Sequence, residues 1–122
     1  MNNKDSFFIN RLKSVGFAFK GAWLLIKTEA SIKVQFGIGL IMTFIGFLVE
    51  LSPMEWIVQT LTIGLILALE GLNTAIEEMA DFVHPEFHPK IGLIKDLAAG
   101  AVFIFALTAI IIGCIIYFPK FF

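Results

Sequence analysis

Residues 97–119 read LAAGAVFIFALTAIIIGCIIYFP, a run without a charged side chain. A membrane-spanning helix needs roughly twenty predominantly apolar residues to cross about 30 Å of hydrocarbon. This run is therefore long enough to form a transmembrane helix without help from its flanks. Two shorter charge-free runs precede it, at residues 34–49 and 56–69. Each of these needs flanking residues to reach the full thickness of a membrane.

The composition of the whole chain supports a membrane protein. Hydrophobic residues make up 58 % of the 122 residues and charged residues 16 %, against roughly 45 to 50 % and 25 % in soluble domains. A chain this short cannot bury so much apolar surface within itself. The net charge of −1 does not indicate a nucleic acid as partner. We therefore expect an all-α membrane protein that forms a single domain over residues 1–122.

The predicted architecture is an amphipathic helix followed by three membrane spans. The predicted bounds are 1–30 for the interfacial helix and 32–50, 54–80 and 96–118 for the transmembrane helices. Pro53 suits the first turn of a helix, whereas Pro85 and Pro89 break the chain within residues 82–94. Lysine and arginine precede the first span and recur between the second and third, but none lies between the first and second. The positive-inside rule then predicts a cytoplasmic N-terminus.

The segment before the first span has an apolar face and a basic face. Lys13, Lys20 and Lys27 recur every seven residues, and the apolar residues recur at alternating spacings of four and three: Phe8, Leu12, Val15, Phe19, Ala22 and Ile26. This pattern is typical of a helix that lies in the membrane interface. Amphipathicity alone leaves two roles open, an anchor that packs on the bundle or a gate for a lipid substrate.

A polar stripe continues the second span. Residues 70–81 read EGLNTAIEEMAD, and steps of three, four and seven return to one face of a helix. The residues on that face are Glu70, Asn73, Thr74, Glu77 and Asp81. Unpaired carboxylates at bilayer depth cost several kcal/mol each, so a cation or a proton must relieve them. Mg²⁺, which prefers oxygen ligands, is the natural candidate.

Ordinary structural explanations remain open for several of these charges. Asp81 suits a helix end that emerges into water, Glu29 a surface salt bridge with a nearby lysine, and Lys95 a cation at a span boundary. Glu70 follows a long uncharged run, which favours a functional role. Glu29 becomes a metal ligand only if the fold brings it to Glu77.

The stretch EGLNTAIE at residues 70–77, followed by Asp81 and by Lys95 and Asp96, resembles the signature of the prokaryotic diacylglycerol kinase family, which includes undecaprenol kinases. The resemblance covers nearly the whole chain. It implies a homotrimer in the bacterial inner membrane that transfers the γ-phosphate of MgATP to the hydroxyl of a membrane lipid. Residues 98–102, AAGAV, are more similar to the undecaprenol kinase branch, which favours undecaprenol over diacylglycerol as acceptor.

The resemblance also implies roles for individual residues. Glu70 matches the general base, and Glu29 and Glu77 match the metal-binding carboxylates. The positions that contact the nucleotide are matched by Asn73, Lys95, Asp96, Glu86, Phe87 and His88. Asn10 and Phe17 stand where some relatives have arginine and tyrosine, so the contacts at those two positions are not carried over.

Two other classes of function remain open from the residues alone. Glu70 within a span suits a small ion- or proton-coupled transporter, and a non-catalytic scaffold would tolerate amide replacement of every carboxylate. The chain has no Gly-rich phosphate-binding run ending in Gly-Lys-Ser or Gly-Lys-Thr, so a nucleotide would have to be held by other groups.

Overall fold

The computed structural model describes residues 6–122, and within this range the chain forms four α-helices and no strand. The helices are α1 (Phe7–Thr28), α2 (Ala30–Leu48), α3 (Pro53–Val83) and α4 (Pro89–Phe121). In that range α2, α3 and α4 are long and apolar enough to cross a membrane, which confirms the predicted all-α membrane architecture. Residues 1–5 of the predicted interfacial segment lie outside the described residues.

The turn between α2 and α3 is built from local hydrogen bonds. Glu50 reverses the chain with a φ of 57°, and Ser52 then caps α3. The Ser52 hydroxyl accepts a hydrogen bond from the backbone N–H of Glu55 at 3.2 Å, and the Glu55 carboxylate accepts one from the N–H of Ser52 at 2.9 Å. Pro53 occupies the first turn, as predicted, because a first-turn residue needs no N–H partner.

The break between α3 and α4 is shorter than the two prolines suggested. α3 continues to Val83 and α4 begins at Pro89, so only residues 84–88 are irregular rather than residues 82–94. Pro89 does not interrupt α4 because it stands in the first turn of that helix. His88 caps the helix, since its Nδ1 atom accepts a hydrogen bond from Lys90 N at 3.0 Å. Lys95 consequently lies on α4 and not in a loop.

Three side-chain contacts set the register between α3 and α4. In order along α3 they join Glu55 to Lys120, Gln59 to Tyr117 and Asp81 to Lys95. The two helices are therefore antiparallel, and the same pairing brings Glu70 level with Ala106. The end of the bundle at residues 49–52 is called the turn end below, and the end at residues 84–88 the loop end.

Glycines allow α2 to approach α3 closely. A Cβ atom added at Gly39 would lie 2.8 Å from Ile63 Cγ2, and one added at Gly46 would lie 2.8 Å from Trp56 Cη2. Both glycines are buried, and their missing side chains let the two helices pack, as small residues do in membrane bundles.

The first helix rests on the bundle with its apolar side chains uncovered. None of its residues is buried, and Phe8, Phe19 and Trp23 are 69, 74 and 63 % exposed. Near its end, Leu25 lies over Gly71 of α3, where an added Cβ would come within 2.9 Å of Leu25 Cδ1. The exposed apolar face suits contact with a membrane interface.

Candidate active site

Glu70 lies inside the helical bundle. Glu70 is only 9 % exposed. The Thr74 Oγ1 atom donates a hydrogen bond to the backbone oxygen of Glu70 at 3.1 Å. Among residues 6–122 the Glu70 carboxylate has no hydrogen-bond or ion-pair partner. An ionisable residue within a membrane span is a functional candidate by default.

Asn73 and Glu77 form the next part of the polar stripe. Asn73 Nδ2 donates a hydrogen bond to Glu77 Oε1 at 3.2 Å, which holds the two side chains together one helical turn apart. The Asn73 Oδ1 atom is buried and has no hydrogen-bond partner. Leaving a buried acceptor unsatisfied costs about 1 to 3 kcal/mol, so this oxygen is suited to meet a donor or a cation supplied by a ligand.

Lys95 pairs with Asp81 across the two longest helices. The Lys95 Nζ atom lies 2.5 Å from Asp81 Oδ1, and the two side chains are 36 and 57 % exposed. Spacing along the chain could not pair these residues, because they lie on different helices. An exposed ion pair contributes little to stability. The Lys95 ammonium can therefore exchange Asp81 for another anion, such as a phosphate, at little cost in free energy.

Glu29 stands at the junction of the first two helices. It ends α1, begins α2 and has an extended backbone with φ −95° and ψ 120°. If the pairing of Gly39 with Ile63 is continued along both helices, Glu29 is level with Asn73. The fold therefore brings this carboxylate to the same height as the polar stripe.

The three loop residues Glu86, Phe87 and His88 lie at the loop end, away from Glu70. The Glu86 backbone oxygen is 2.7 Å from His84 Nδ1, and Phe87 is 86 % exposed. Asp96 is also exposed, in the second turn of α4. The proposed site residues thus extend from the buried Glu70 to an open surface at the loop end.

The residues present fit a magnesium ion that is bound together with a nucleotide. Residues 6–122 contain no group of three or more His, Cys, Asp or Glu side chains placed to hold a metal by themselves. Nucleotide-bound Mg²⁺ takes only one or two carboxylates and completes its shell with phosphate oxygens and water. Glu77, which accepts the hydrogen bond from Asn73, and Glu29, at the level of Asn73, are the two carboxylates that could serve as such donors.

A buried polar cluster at the turn end was missed by the sequence analysis. Gln59 is only 6 % exposed; its Nε2 atom donates to the backbone oxygen of Met42 at 3.1 Å, and the Tyr117 hydroxyl donates to its Oε1 atom. The available signal was a neutral polar residue, Gln59, inside the run 56–69, which the sequence analysis described only as free of charge.

Comparison with known proteins identifies the family. A family model described as prokaryotic diacylglycerol kinase matches residues 16–117. The chain belongs to this family. It is 40 % identical to an undecaprenol kinase of Bacillus subtilis, over 98 % of this chain and 94 % of that protein. It is 27 % identical to a diacylglycerol kinase of Escherichia coli K12, over 99 % of each chain.

Membership of the family defines the class of activity and confirms the resemblance found in residues 70–96. The chain is a membrane lipid kinase, that is, a phosphotransferase that uses ATP and an alcohol acceptor, and it is a multi-pass membrane protein. Neither relative supports the alternative of a transporter.

Proposed function

We propose that this lipid kinase transfers the γ-phosphate of MgATP to the hydroxyl of undecaprenol, with diacylglycerol as the second candidate acceptor. The observation that supports this choice is the 40 % identity to an undecaprenol kinase, compared with 27 % to a diacylglycerol kinase. Both acceptors are lipid alcohols that stay in the bilayer. The hydroxyl therefore has to reach the active site from within the membrane.

Glu70 is the proposed general base. It accepts the proton of the lipid hydroxyl as the hydroxyl oxygen forms a bond to the γ-phosphorus and the bond between that phosphorus and the ADP oxygen breaks. Two observations support this role. Glu70 is only 9 % exposed, and its carboxylate has no hydrogen-bond or ion-pair partner within residues 6–122. A carboxylate at membrane depth is also where a lipid hydroxyl can reach it.

Charge on the phosphates is balanced by groups at the loop end. Glu29 and Glu77 would hold Mg²⁺, which neutralises negative charge on the phosphates when it is bound with ATP. Lys95 adds a positive charge once it leaves Asp81, and Asn73 positions Glu77 through the 3.2 Å hydrogen bond. Asp96 and the loop residues Glu86, Phe87 and His88 are the remaining proposed nucleotide contacts.

The proposed assembly is a homotrimer in the bacterial inner membrane, with the N-terminus and the loop end in the cytoplasm. The lysines beside these segments support this orientation by the positive-inside rule, and it exposes the proposed nucleotide site to cytoplasmic ATP. A stripe of polar residues along one helix needs cover within a membrane, and neighbouring copies of the chain would provide it.

The test is a lipid phosphorylation assay with purified protein in mixed micelles. Labelled ATP and Mg²⁺ are supplied with undecaprenol and diacylglycerol at equal mole fraction. We expect label on undecaprenol at the higher kcat/KM, and a loss of about 10²-fold or more in Glu70→Gln, the usual size of a general-base contribution. Glu50→Gln is the matched control, because Glu50 is an exposed carboxylate at the turn end.

Each result separates one part of the proposal. Faster labelling of diacylglycerol would show that the acceptor assignment is wrong while the kinase activity stands. Full activity of Glu70→Gln would remove the general base. Transfer to neither lipid by the wild-type protein would contradict the proposed function as a whole.

A further inference from the structure

The last turn of α1 packs against the helix that carries the proposed base. Gly71 directly follows Glu70 and is buried, and a Cβ atom added there would lie 2.9 Å from Leu25 Cδ1. Among the described residues of the other helices, only Leu25 comes within 4 Å of that point. Leu25 therefore occupies the space that the missing side chain of Gly71 leaves on α3.

The presence of a glycine at this position of α3 is explained by the close approach of α1. In the interior of a helix glycine is less favourable than alanine by about 1 kcal/mol, because its backbone loses more conformational freedom on folding. Gly71 lies well inside α3, where it cannot act as a cap. Small residues at close helix contacts are typical of membrane bundles. The sequence of α3 thus leaves room for Leu25 at the level of the active site.

Leu25 is connected through the backbone to a proposed metal-binding carboxylate. The backbone N–H of Glu29 donates a hydrogen bond to the carbonyl oxygen of Leu25 at 3.1 Å, and the carbonyl oxygen of Glu29 accepts one from the N–H of Lys33 at 3.0 Å. The first bond closes α1 and the second opens α2. Leu25 and Glu29 are both half-buried. Because Glu29 is held at the junction by these bonds, a displacement of Leu25 also displaces Glu29.

The contact lies at the depth of the polar stripe. Gly71 precedes Asn73 by two residues, which is about 3 Å along α3, and the register between α2 and α3 puts Glu29 level with Asn73. Glu77 is one helical turn further along and is joined to Asn73 by a hydrogen bond of 3.2 Å. The packing of Leu25 on Gly71 is therefore placed where it can set the position of Glu29 relative to α3.

We propose that Leu25 is a positioning residue, whose packing on Gly71 sets the separation of Glu29 and Glu77 and thereby the affinity of the active site for Mg²⁺. The proposal rests on the metal-binding role proposed above for these two carboxylates. Mg²⁺ demands near-ideal octahedral geometry, so ligands on different helices have to be held at a fixed separation. The two roles left open for α1 differ at this point, because a gate would have to leave Gly71 during turnover whereas an anchor would not.

The first test is a magnesium titration of lipid phosphorylation at saturating ATP. Leu25→Ala should raise the Mg²⁺ concentration for half-maximal activity about fivefold, equivalent to about 1 kcal/mol, and should change kcat at saturating Mg²⁺ much less. Leu24→Ala is the matched control, because Leu24 is 48 % exposed and has no atom within 4 Å of the Cβ position of Gly71. Leu25→Val serves as the second variant if circular dichroism and gel filtration show that Leu25→Ala does not fold.

Combined variants test whether Leu25 acts through Glu29 and Gly71. Added to Glu29→Gln, Leu25→Ala should cause no further rise in the Mg²⁺ requirement, because the charge that it positions is already absent. Gly71→Val should also raise the requirement. Its control is Gly64→Val, at an exposed position of the same helix where an added Cβ meets nothing within 4 Å. Gly71→Val with Leu25→Ala should recover part of the effect, because the smaller side chain at position 25 makes room.

A cross-link measures the contact without catalysis. A disulfide forms only when the two β-carbons lie within about 4.5 Å of each other. In a Cys114→Ala background, Leu25→Cys with Gly71→Cys should therefore cross-link within one chain on oxidation, and Leu24→Cys with Gly71→Cys should not. The oxidised protein should need no more Mg²⁺ than the same protein after reduction. Activity that is lost on oxidation and regained on reduction would show that α1 has to leave Gly71, which would overturn the fixed position.

The outcomes separate the positioning role from the metal-binding role. A wild-type Mg²⁺ requirement in Leu25→Ala beside a raised one in Glu29→Gln would overturn the positioning role alone. The same fivefold rise in the Glu29→Gln background, or a cross-link between chains instead of within one, would overturn it too. A wild-type Mg²⁺ requirement in Glu29→Gln itself would contradict the proposed metal-binding role, and the cross-link would then report only the packing of α1 on α3.

Discussion

The Lys95 ammonium of α4 lies 2.5 Å from the Asp81 carboxylate of α3. This ion pair joins the start of one span to the end of another, and it holds Lys95 beside the face of α3 that carries Glu77. Both side chains remain partly exposed, so a nucleotide phosphate can compete with Asp81 for the ammonium. In the proposed function, Asp81 therefore positions Lys95 before the nucleotide arrives.

Asp81→Asn should raise the KM for ATP several-fold and change kcat much less. The amide keeps the size of the side chain but removes the charge that orients Lys95, whereas the loss in stability should be small, as for other exposed ion pairs. Steady-state kinetics with varied ATP measures the effect. Glu78→Gln, an exposed change on the same helix, is the control, and an unchanged KM in Asp81→Asn would contradict the positioning role.

Glu77→Gln and Glu29→Gln should each raise the Mg²⁺ concentration required for half-maximal activity by about tenfold or more, since removing one anionic ligand from a hard cation is expected to cost at least about 1.4 kcal/mol. The amide at position 77 can still accept the hydrogen bond from Asn73, so the fold should be retained. A magnesium titration at saturating ATP provides the measurement. Activity that depends on Mg²⁺ as in the wild type would exclude both carboxylates as ligands.

Removing either partner of the Gln59 and Tyr117 pair should destabilise the protein more than removing both. Tyr117→Phe and Gln59→Leu each leave a buried polar group without its partner, which should lower the free energy of unfolding by about 1 to 2 kcal/mol. In the double variant no polar group of the pair remains, and part of that loss should be recovered. Unfolding by denaturant in detergent micelles gives the double-mutant cycle, and strictly additive losses would show that the two side chains do not interact.

The stripe from Glu70 to Glu77 could be predicted from the sequence because helical periodicity depends only on nearby residues. The pairs that join different spans could not, since Asp81 with Lys95 and Gln59 with Tyr117 depend on the register between α3 and α4. The cavity of about 380 Å³ among α2, α3 and α4 could not be predicted either. Small residues were visible in the sequence of α4, but only the packed bundle shows that no side chain of the described residues fills the space beside them. Local pattern therefore predicted the proposed chemical groups, and tertiary packing determined what surrounds them.

Close packing between α2 and α3 leads to a prediction about stability. Gly39→Val should lower the free energy of unfolding by about 1 to 3 kcal/mol, the usual effect of overpacking, because a Cβ at this position comes within 2.8 Å of Ile63. Gly37→Val is the matched control on the same helix, where an added Cβ meets nothing within 4 Å. The intrinsic helix preference of valine over glycine is the same at both positions, so the difference between the variants isolates the contact with Ile63. The combined variant Gly39→Val with Ile63→Ala should regain part of the lost stability, and equal stability of the two single variants would show that α2 does not approach α3 at Gly39.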